Sequence, residues 1–234
     1  MIFLSHILDT GTPLYGGTGR VDLVLSRQIA KGDAANNSDL GFPAHSGTHV
    51  DAPFHFDPDG KRIGDFPAAF WICDHVYLLE VAAAPGQILS LAELLPALAK
   101  MPSQTELLLI KTGFERFRER PLPGEESPYI FQGPGISSEI GLWLRRNRHL
   151  KMIGFDFISV TNYSNRELGR EAHRAFLGPI APGNDDLPLS GPILIIEDMT
   201  LSGLSRAPRR VVVAPLRYDN ADGAPATVIA EDVA

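Results

Sequence analysis

The chain holds a single cysteine, Cys73. One thiol cannot close an internal disulfide, so no covalent staple supports the fold. The apolar residues around Cys73 suit a small buried hydrophobe better than a nucleophile. Long hydrophobic runs are also missing: none approaches the ~20 residues needed to span a bilayer. The opening Met1-Ile2-Phe3-Leu4 has no basic segment before it and soon meets Asp9, unlike a secretory signal. Without disulfides or a signal, a cytoplasmic location is expected. Positive charge is not in excess, since the formal net charge is −7. The basic runs, Arg145-Arg146-Asn147-Arg148 and Arg206 to Arg210, are short and suit a helix end and a loop. A mildly acidic chain with no basic face excludes nucleic acid and anionic membranes as expected partners. Internal repeats and low-complexity tracts are absent.

The composition, 44% apolar and 21% charged over 234 residues, is that of a globular chain long enough to bury a full core. Apolar, β-branched runs predict strands near 2–7, 75–82, 106–111, 151–155, 193–197, 210–216 and 226–231. Leu107-Leu108-Leu109-Ile110 and Ile193-Leu194-Ile195-Ile196 are almost continuously apolar, as in strands covered on both faces. Three helices are expected. One follows Ser90, with Glu93 completing a capping box, and runs to about Lys100 despite Pro96. Another follows Ser137 with Ile140, Trp143 and Leu144 on one side, and the last spans about Arg166 to Leu177. Strands outnumber helices and do not alternate strictly with them. This predicts a single mixed α/β domain over 1–234 with a β-rich core, rather than a doubly wound sheet. Proline- and glycine-rich connections fall at 9–19, 119–136 and 178–192. The middle one suits either a linker or an ordered loop over a site.

Chemistry concentrates in His45-Ser46-Gly47-Thr48-His49-Val50-Asp51-Ala52-Pro53-Phe54-His55-Phe56. Gly47, Pro53 and the β-branched Thr48 and Val50 oppose a helix. In an extended chain side chains alternate, so His45, His49, Asp51 and His55 share one face. Ser46, Thr48, Val50, Ala52, Phe54 and Phe56 face the other way, with Phe54 and Phe56 as an apolar wall that excludes water. His49 and Asp51 are about 7 Å apart at Cα, close enough for one ion, but His45 and His55 would be about 33 Å apart in a straight strand. Either the chain bends at Gly47 and Pro53 around one ion, or His55 reaches a second ion or a substrate. Imidazoles with a carboxylate suit zinc, and also manganese or iron, with positions left for water. The competing reading is a hydrogen-bonded His/Asp cluster without metal. His75 and His149 suit structural or surface roles, and His6 suits either a satisfied strand histidine or an approach to the site from the first strand. Phe70 and Trp71 suit either the core or stacking on an aromatic substrate.

The stretch at 45–56 resembles the H-x-G-T-H-x-D-x-P-x-H signature of the cyclase family of metal-dependent hydrolases, which includes bacterial kynurenine formamidases and isatin hydrolases. The resemblance extends along nearly the whole chain. Leu4-Ser5-His6, Thr12-Pro13 and Tyr15-Gly16-Gly17 are similar to the family's opening. Ile110-Lys111-Thr112-Gly113, Gly154-Phe155-Asp156 with Ser159, and Asp222-Gly223-Ala224-Pro225-Ala226 resemble later segments. The resemblance implies a swivelling β/β/α fold, a homodimer or homotetramer, and one or two Zn2+ ions, with Mn2+ as the alternative. It implies hydrolysis of a small amide, either an N-formyl aryl amide or an isatin-like lactam. By the same resemblance His45, His49 and Asp51 hold one ion. Asp51 bridges to another, completed by His55, His173 and Glu197. His55 or Glu197 would move protons. The stretch 178–192, with Asp185 and Asp186, looks like an insertion. Thr227 stands where many relatives have arginine, and Arg174 replaces a second histidine common in formamidases. A metal-binding protein without catalysis is the reading from another class.

Protein purified without chelator should contain one or two divalent ions per chain by elemental analysis. A content near zero, with activity indifferent to chelation, would overturn metal binding.

Overall fold

In a computed structural model, residues 1–119, 126–179 and 190–231 are described. The first half carries β1 (Ile2–Phe3), β2 (Asp22–Arg27), β3 (Asn37–Gly41), β4 (His49–Asp51), β5 (Ile72–Cys73), β6 (Val76–Glu80) and β7 (Ile88–Leu89). Helix α1 (Leu91–Leu98) and β8 (Leu107–Lys111) follow, then α2 (Pro128–Phe131), β9 (Gly135–Ile136) and α3 (Ser138–Asn147). The last third holds β10 (Met152–Phe155), α4 (Arg166–Leu177), β11 (Leu194–Glu197), β12 (Arg210–Pro215) and β13 (Gly223–Glu231).

The main sheet runs in the order β5-β12-β13-β4-β11-β10-β8-β6, with β1 added against β13. Strands β6, β8, β10 and β11 are mutually parallel, whereas β4, β13, β12 and β5 continue the sheet antiparallel. The expected mixed α/β fold with a β-rich core is therefore found. The near-continuous apolar runs explain the parallel half. Leu107, Leu108, Leu109 and Ile110 are all fully buried because alternate residues enter two different cores. Leu108, Ile110, Ile153, Phe155 and Ile195 pack with Ile140, Leu144, Ala172 and Phe176 beneath α3 and α4. Leu107, Leu109, Met152, Leu194 and Ile196 pack on the other side with Val50, Val211, Val213 and Val228.

The expected helices form where their signals lie. Ser90 Oγ accepts from the Glu93 N–H, and the Glu93 carboxylate accepts from the Ser90 N–H at 2.7 Å. Pro96 is held inside α1, which ends at Leu98, two residues short of the expected boundary. The expected first strand keeps only Ile2–Phe3, while the last begins earlier, at Gly223. The β2–β3 hairpin had no sequence signal, since its residues are largely exposed and lack alternation. The segment 119–136 contains α2 and β9, with residues 120–125 outside those described. Of the stretch 178–192, residues 180–189, including Asp185 and Asp186, lie outside the described residues. Among the described residues, no helix is long and apolar enough to cross a membrane.

Helix α4 lies close on the chain that follows β10. A Cβ at Gly169 would stand 2.5 Å from Thr161 Cα and 2.3 Å from its hydroxyl oxygen. Gly169→Ala should therefore push α4 outward and cost about 1–3 kcal/mol, as overpacking does. Denaturant melts of the two proteins would read this. Equal midpoints would show that the contact relaxes freely.

Candidate metal centre

The register of β4 against β11 builds the centre. His49 pairs with Glu197 and Asp51 with Ile195, so His49, Asp51 and Glu197 project from one face of the sheet. Helix α4 crosses that face and contributes His173. All four side chains are almost completely buried. His49 Nδ1 faces the Gly47 carbonyl at 2.8 Å, and His173 Nδ1 faces that of Gly169 at 2.8 Å. Each backbone carbonyl accepts a ring proton and leaves Nε2 free, as is usual for a ligating histidine. His49 Nε2 lies 3.4 Å from both Asp51 Oδ1 and Glu197 Oε2. His173 Nε2 lies 3.5 Å from Asp51 Oδ2 and 3.6 Å from Glu197 Oε1. Charge-assisted hydrogen bonds are shorter, about 2.7–2.9 Å. Ligand atoms about 2.0–2.2 Å from a tetrahedral ion stand roughly 3.3–3.6 Å apart. The spacing of these donors fits a divalent ion.

The chain bends on both sides of β4, at the glycine and proline where one reading of the ligand spacing placed bends. Gly47 sits at φ +61°, where a side chain would be strained, and Pro53–His55 form a single 3-10 turn. The bends bring the His45 and His55 rings to a 4.1 Å centroid separation. His45 Nδ1 lies 2.7 Å from Asp51 Oδ1, so His45, His55 and Asp51 make a second group able to hold an ion. All six residues singled out as ligands therefore converge, with Asp51 common to both groups. The structure sets His49 beside Glu197 and His45 beside His55, whereas the resemblance divides them differently.

Charge accounts for the protonation behaviour. Burial alone would lower the proton affinity of His45, but Asp51 and Asp222 overcome it and raise its pKa to about 10. His173 is likewise raised to about 10, against burial, by Asp51 and Glu197. Asp51 is held well below the usual carboxylate range, because His45 and His173 outweigh its desolvation. The field that makes these imidazoles basic is equally one that attracts a dication.

Asp222 received no role from the motif. Its Oδ2 lies 2.9 Å from His45 Nε2 and 3.1 Å from His55 Nδ1, tying the two bent arms together. The resemblance of the segment 222–226 to the family took in Asp222 without giving it a role, and the nearby glycine and proline indicate a turn. Asp198 was also missed. It adopts φ +52°, and Arg118 grips its carboxylate with two bonds of 2.7 and 2.8 Å, while the Tyr129 hydroxyl also donates to it. This anchor fixes the end of β11 immediately after Glu197.

Other expectations are corrected. Phe56 packs against the core beneath α3 and α4 and also reaches the pocket. The 3-10 turn breaks the alternation, and its ring stacks on His173 at 4.6 Å, forming one wall of the pocket. Phe54 instead lies under the Arg62 guanidinium at 4.0 Å. Phe70 and Trp71 cluster with Phe66 around the second core, apart from the pocket. His6 and Thr227 line a different cavity. His75 is exposed and its carbonyl accepts from the Glu106 N–H. Arg174 is on the exposed side of α4.

Asp51→Asn retains size and removes the charge shared by both groups. Metal occupancy should fall sharply, whereas Asp59→Asn, on the exposed turn, should leave it unchanged. Occupancy and kcat measured on one preparation test this. Full occupancy with substantial activity would exclude Asp51 as a ligand.

The family model Cyclase, described as “Putative cyclase”, matches residues 2–162. A kynurenine formamidase of Bacillus cereus is 24% identical over 234 residues, covering 97% of this chain and 95% of that protein. The fold resembles isatin hydrolase A from Labrenzia aggregata with a TM-score of 0.77 at 19% identity, covering 98% of this chain and 93% of the other. It also resembles a potential metal-dependent hydrolase with cyclase activity, with a TM-score of 0.69 at 17% identity, covering 97% and 94%. With the family model spanning well over half its length, this chain belongs to the cyclase family.

Proposed function

We propose that this chain is one metal-dependent hydrolase domain that cleaves a small amide, an N-formyl aryl amide, in line with the name of its kynurenine formamidase relative. The observation that carries this reading is the 3.4–3.6 Å spacing of His49, Asp51, His173 and Glu197 beside an open pocket. His49, His173 and Glu197 would hold one ion and His45 and His55 another, with Asp51 shared. Zn2+ suits these donors, and Mn2+ is the alternative. Bound there, the ion would acidify a water to a pKa near 7 and polarise the scissile carbonyl.

The chain's own residues divide the remaining work. His45 and His55 retain 27% and 29% side-chain exposure, whereas His49 and His173 retain 5% each. Substrate therefore approaches the His45/His55 side. His55 borders the pocket with Asp222 behind its Nδ1; with only the His49/Asp51/His173/Glu197 ion bound its Nε2 would stay free, which suits a proton carrier for the leaving amine. Glu197 accepts the Val160 N–H through Oε1 at 2.7 Å, which fixes its orientation for holding the ion through Oε2. Phe56 and Ile158 keep bulk water from the reacting bond. Isatin-like lactams are the alternative substrates, in line with the structural neighbour's name. A homodimer or homotetramer is supported by the β2–β3 hairpin, which among the described residues pairs with no other strand. Its Val24, Leu25 and Leu40 are 52–64% exposed, and a lone hairpin is marginal in water.

The test is hydrolysis of N-formyl arylamines and of isatin by the metal-loaded protein, before and after chelation. Formyl release that chelator abolishes and added zinc or manganese restores is expected. Stoichiometric metal with no turnover of either class would leave a non-catalytic metal-binding protein.

A further inference from the structure

Above the metal centre the same helix presents cations. Residues 166, 170 and 173 of α4 are spaced i, i+4 and i+7, so they share one face. His173 points into the carboxylate cluster, and Arg170 and Arg166 line the same pocket nearer its mouth. At about 1.5 Å per residue, Arg170 is roughly one turn and Arg166 roughly two turns above His173. The pocket, about 410 Å³ in volume, is also lined by Pro13, Tyr15, Phe56 and Ile158, with Ser159, Thr161 and Asp198 among its polar lining. Both arginines are exposed, so their guanidinium groups stand where an anion entering the pocket from solvent would meet them.

The two arginines are not equivalent. Arg170 already pairs with Glu167 at 2.5 Å. Arg166 lies over the Tyr163 ring at 4.3 Å, and no carboxylate among the described residues pairs with it. Stacking holds the guanidinium plane in place without neutralising it. The Tyr15 hydroxyl oxygen is buried, and Arg166 beside it is placed to donate to it, which leaves the phenolic proton without an acceptor among the described residues. A buried donor without an acceptor costs stability unless a ligand completes it. One uncompensated cation and one spare hydroxyl donor match a monoanion with two oxygens.

We infer that Arg166, Tyr15 and Arg170 form a carboxylate subsite, so the preferred substrate is a monoanionic amide whose carboxylate lies on the side away from the scissile bond. This rests on the amide-hydrolase reading and narrows it. An arginine fork receives a carboxylate through two parallel bonds, which would orient the substrate as well as attract it. Neutral lactams and simple anilides lack the group and are poorer substrates.

The decisive probes are 4-formamidobenzoate and its methyl ester, which differ in charge at one end. The metal-loaded protein should favour the acid by about tenfold or more in kcat/KM, mostly through KM. Arg166→Gln should bring the acid-to-ester ratio close to one, and Arg166→Lys should restore part of it. Calorimetric binding of 4-aminobenzoate against its methyl ester gives a readout that needs no turnover. The acid should bind more tightly, with the difference lost in Arg166→Gln and reduced by salt. Equal hydrolysis and equal binding of acid and ester would overturn the subsite, as would a preference that survives Arg166→Gln. If neither amide is hydrolysed but 4-aminobenzoate still binds through Arg166, the amide-hydrolase reading fails and the subsite stands.

Discussion

Two buried carboxylates facing each other constrain the rest of this structure. Asp51 and Glu197 project from adjacent strands into a site where both are almost fully excluded from solvent, with ligand atoms within 4.8 Å. Two like charges at that separation repel by roughly 3–4 kcal/mol even at an effective dielectric constant near 20. Desolvation adds to that cost. Such a pair persists only if positive charge is brought to it, and every nearby element does so. The β4–β11 register sets His49 opposite Glu197, α4 crosses to deliver His173, and the bend at Gly47 returns His45 to Asp51. A dication at this point neutralises what the imidazoles otherwise balance by holding protons.

The surrounding scaffold keeps these side chains from relaxing apart. Glu197 ends a strand whose other residues are fully buried, and the next residue is locked by Arg118 and Tyr129 in a left-handed conformation. Backbone strain of that kind costs about 1–3 kcal/mol and survives where surrounding contacts over-determine it. Here it permits Glu197 to face the centre while Asp198 turns towards Arg118. On the opposite side Asp222, from the turn that opens β13, bridges His45 and His55. Helix α4 serves two ends of the pocket at once. Its buried end supplies an imidazole to the centre, and its first two turns place Arg166 and Arg170 along the pocket.

The sequence on its own determined the secondary structure of the parallel half, because uninterrupted apolar runs leave few alternatives to strands buried on both faces. It also pointed to the candidate centre, since His45, His49, Asp51 and His55 lie in one short stretch and a glycine and a proline mark its bends. The family resemblance, not periodicity, pointed to His173 and Glu197. These two residues lie more than a hundred positions beyond the motif. Only the tertiary structure decided which donors neighbour which. That depends on strand register and on how close Gly169 lets α4 approach, and neither leaves a local pattern. Asp222, Asp198 and Arg118 stayed invisible for the same reason, because an acidic residue in a turn and an arginine in a loop look like solvated charges until the fold brings their partners to them. The β2–β3 hairpin escaped because its exposed residues carry no alternation for one buried face to impose. Chemistry was legible where ligands cluster along the chain, and geometry emerged only where distant segments meet, because local sequence encodes side-chain direction but not which strand arrives alongside.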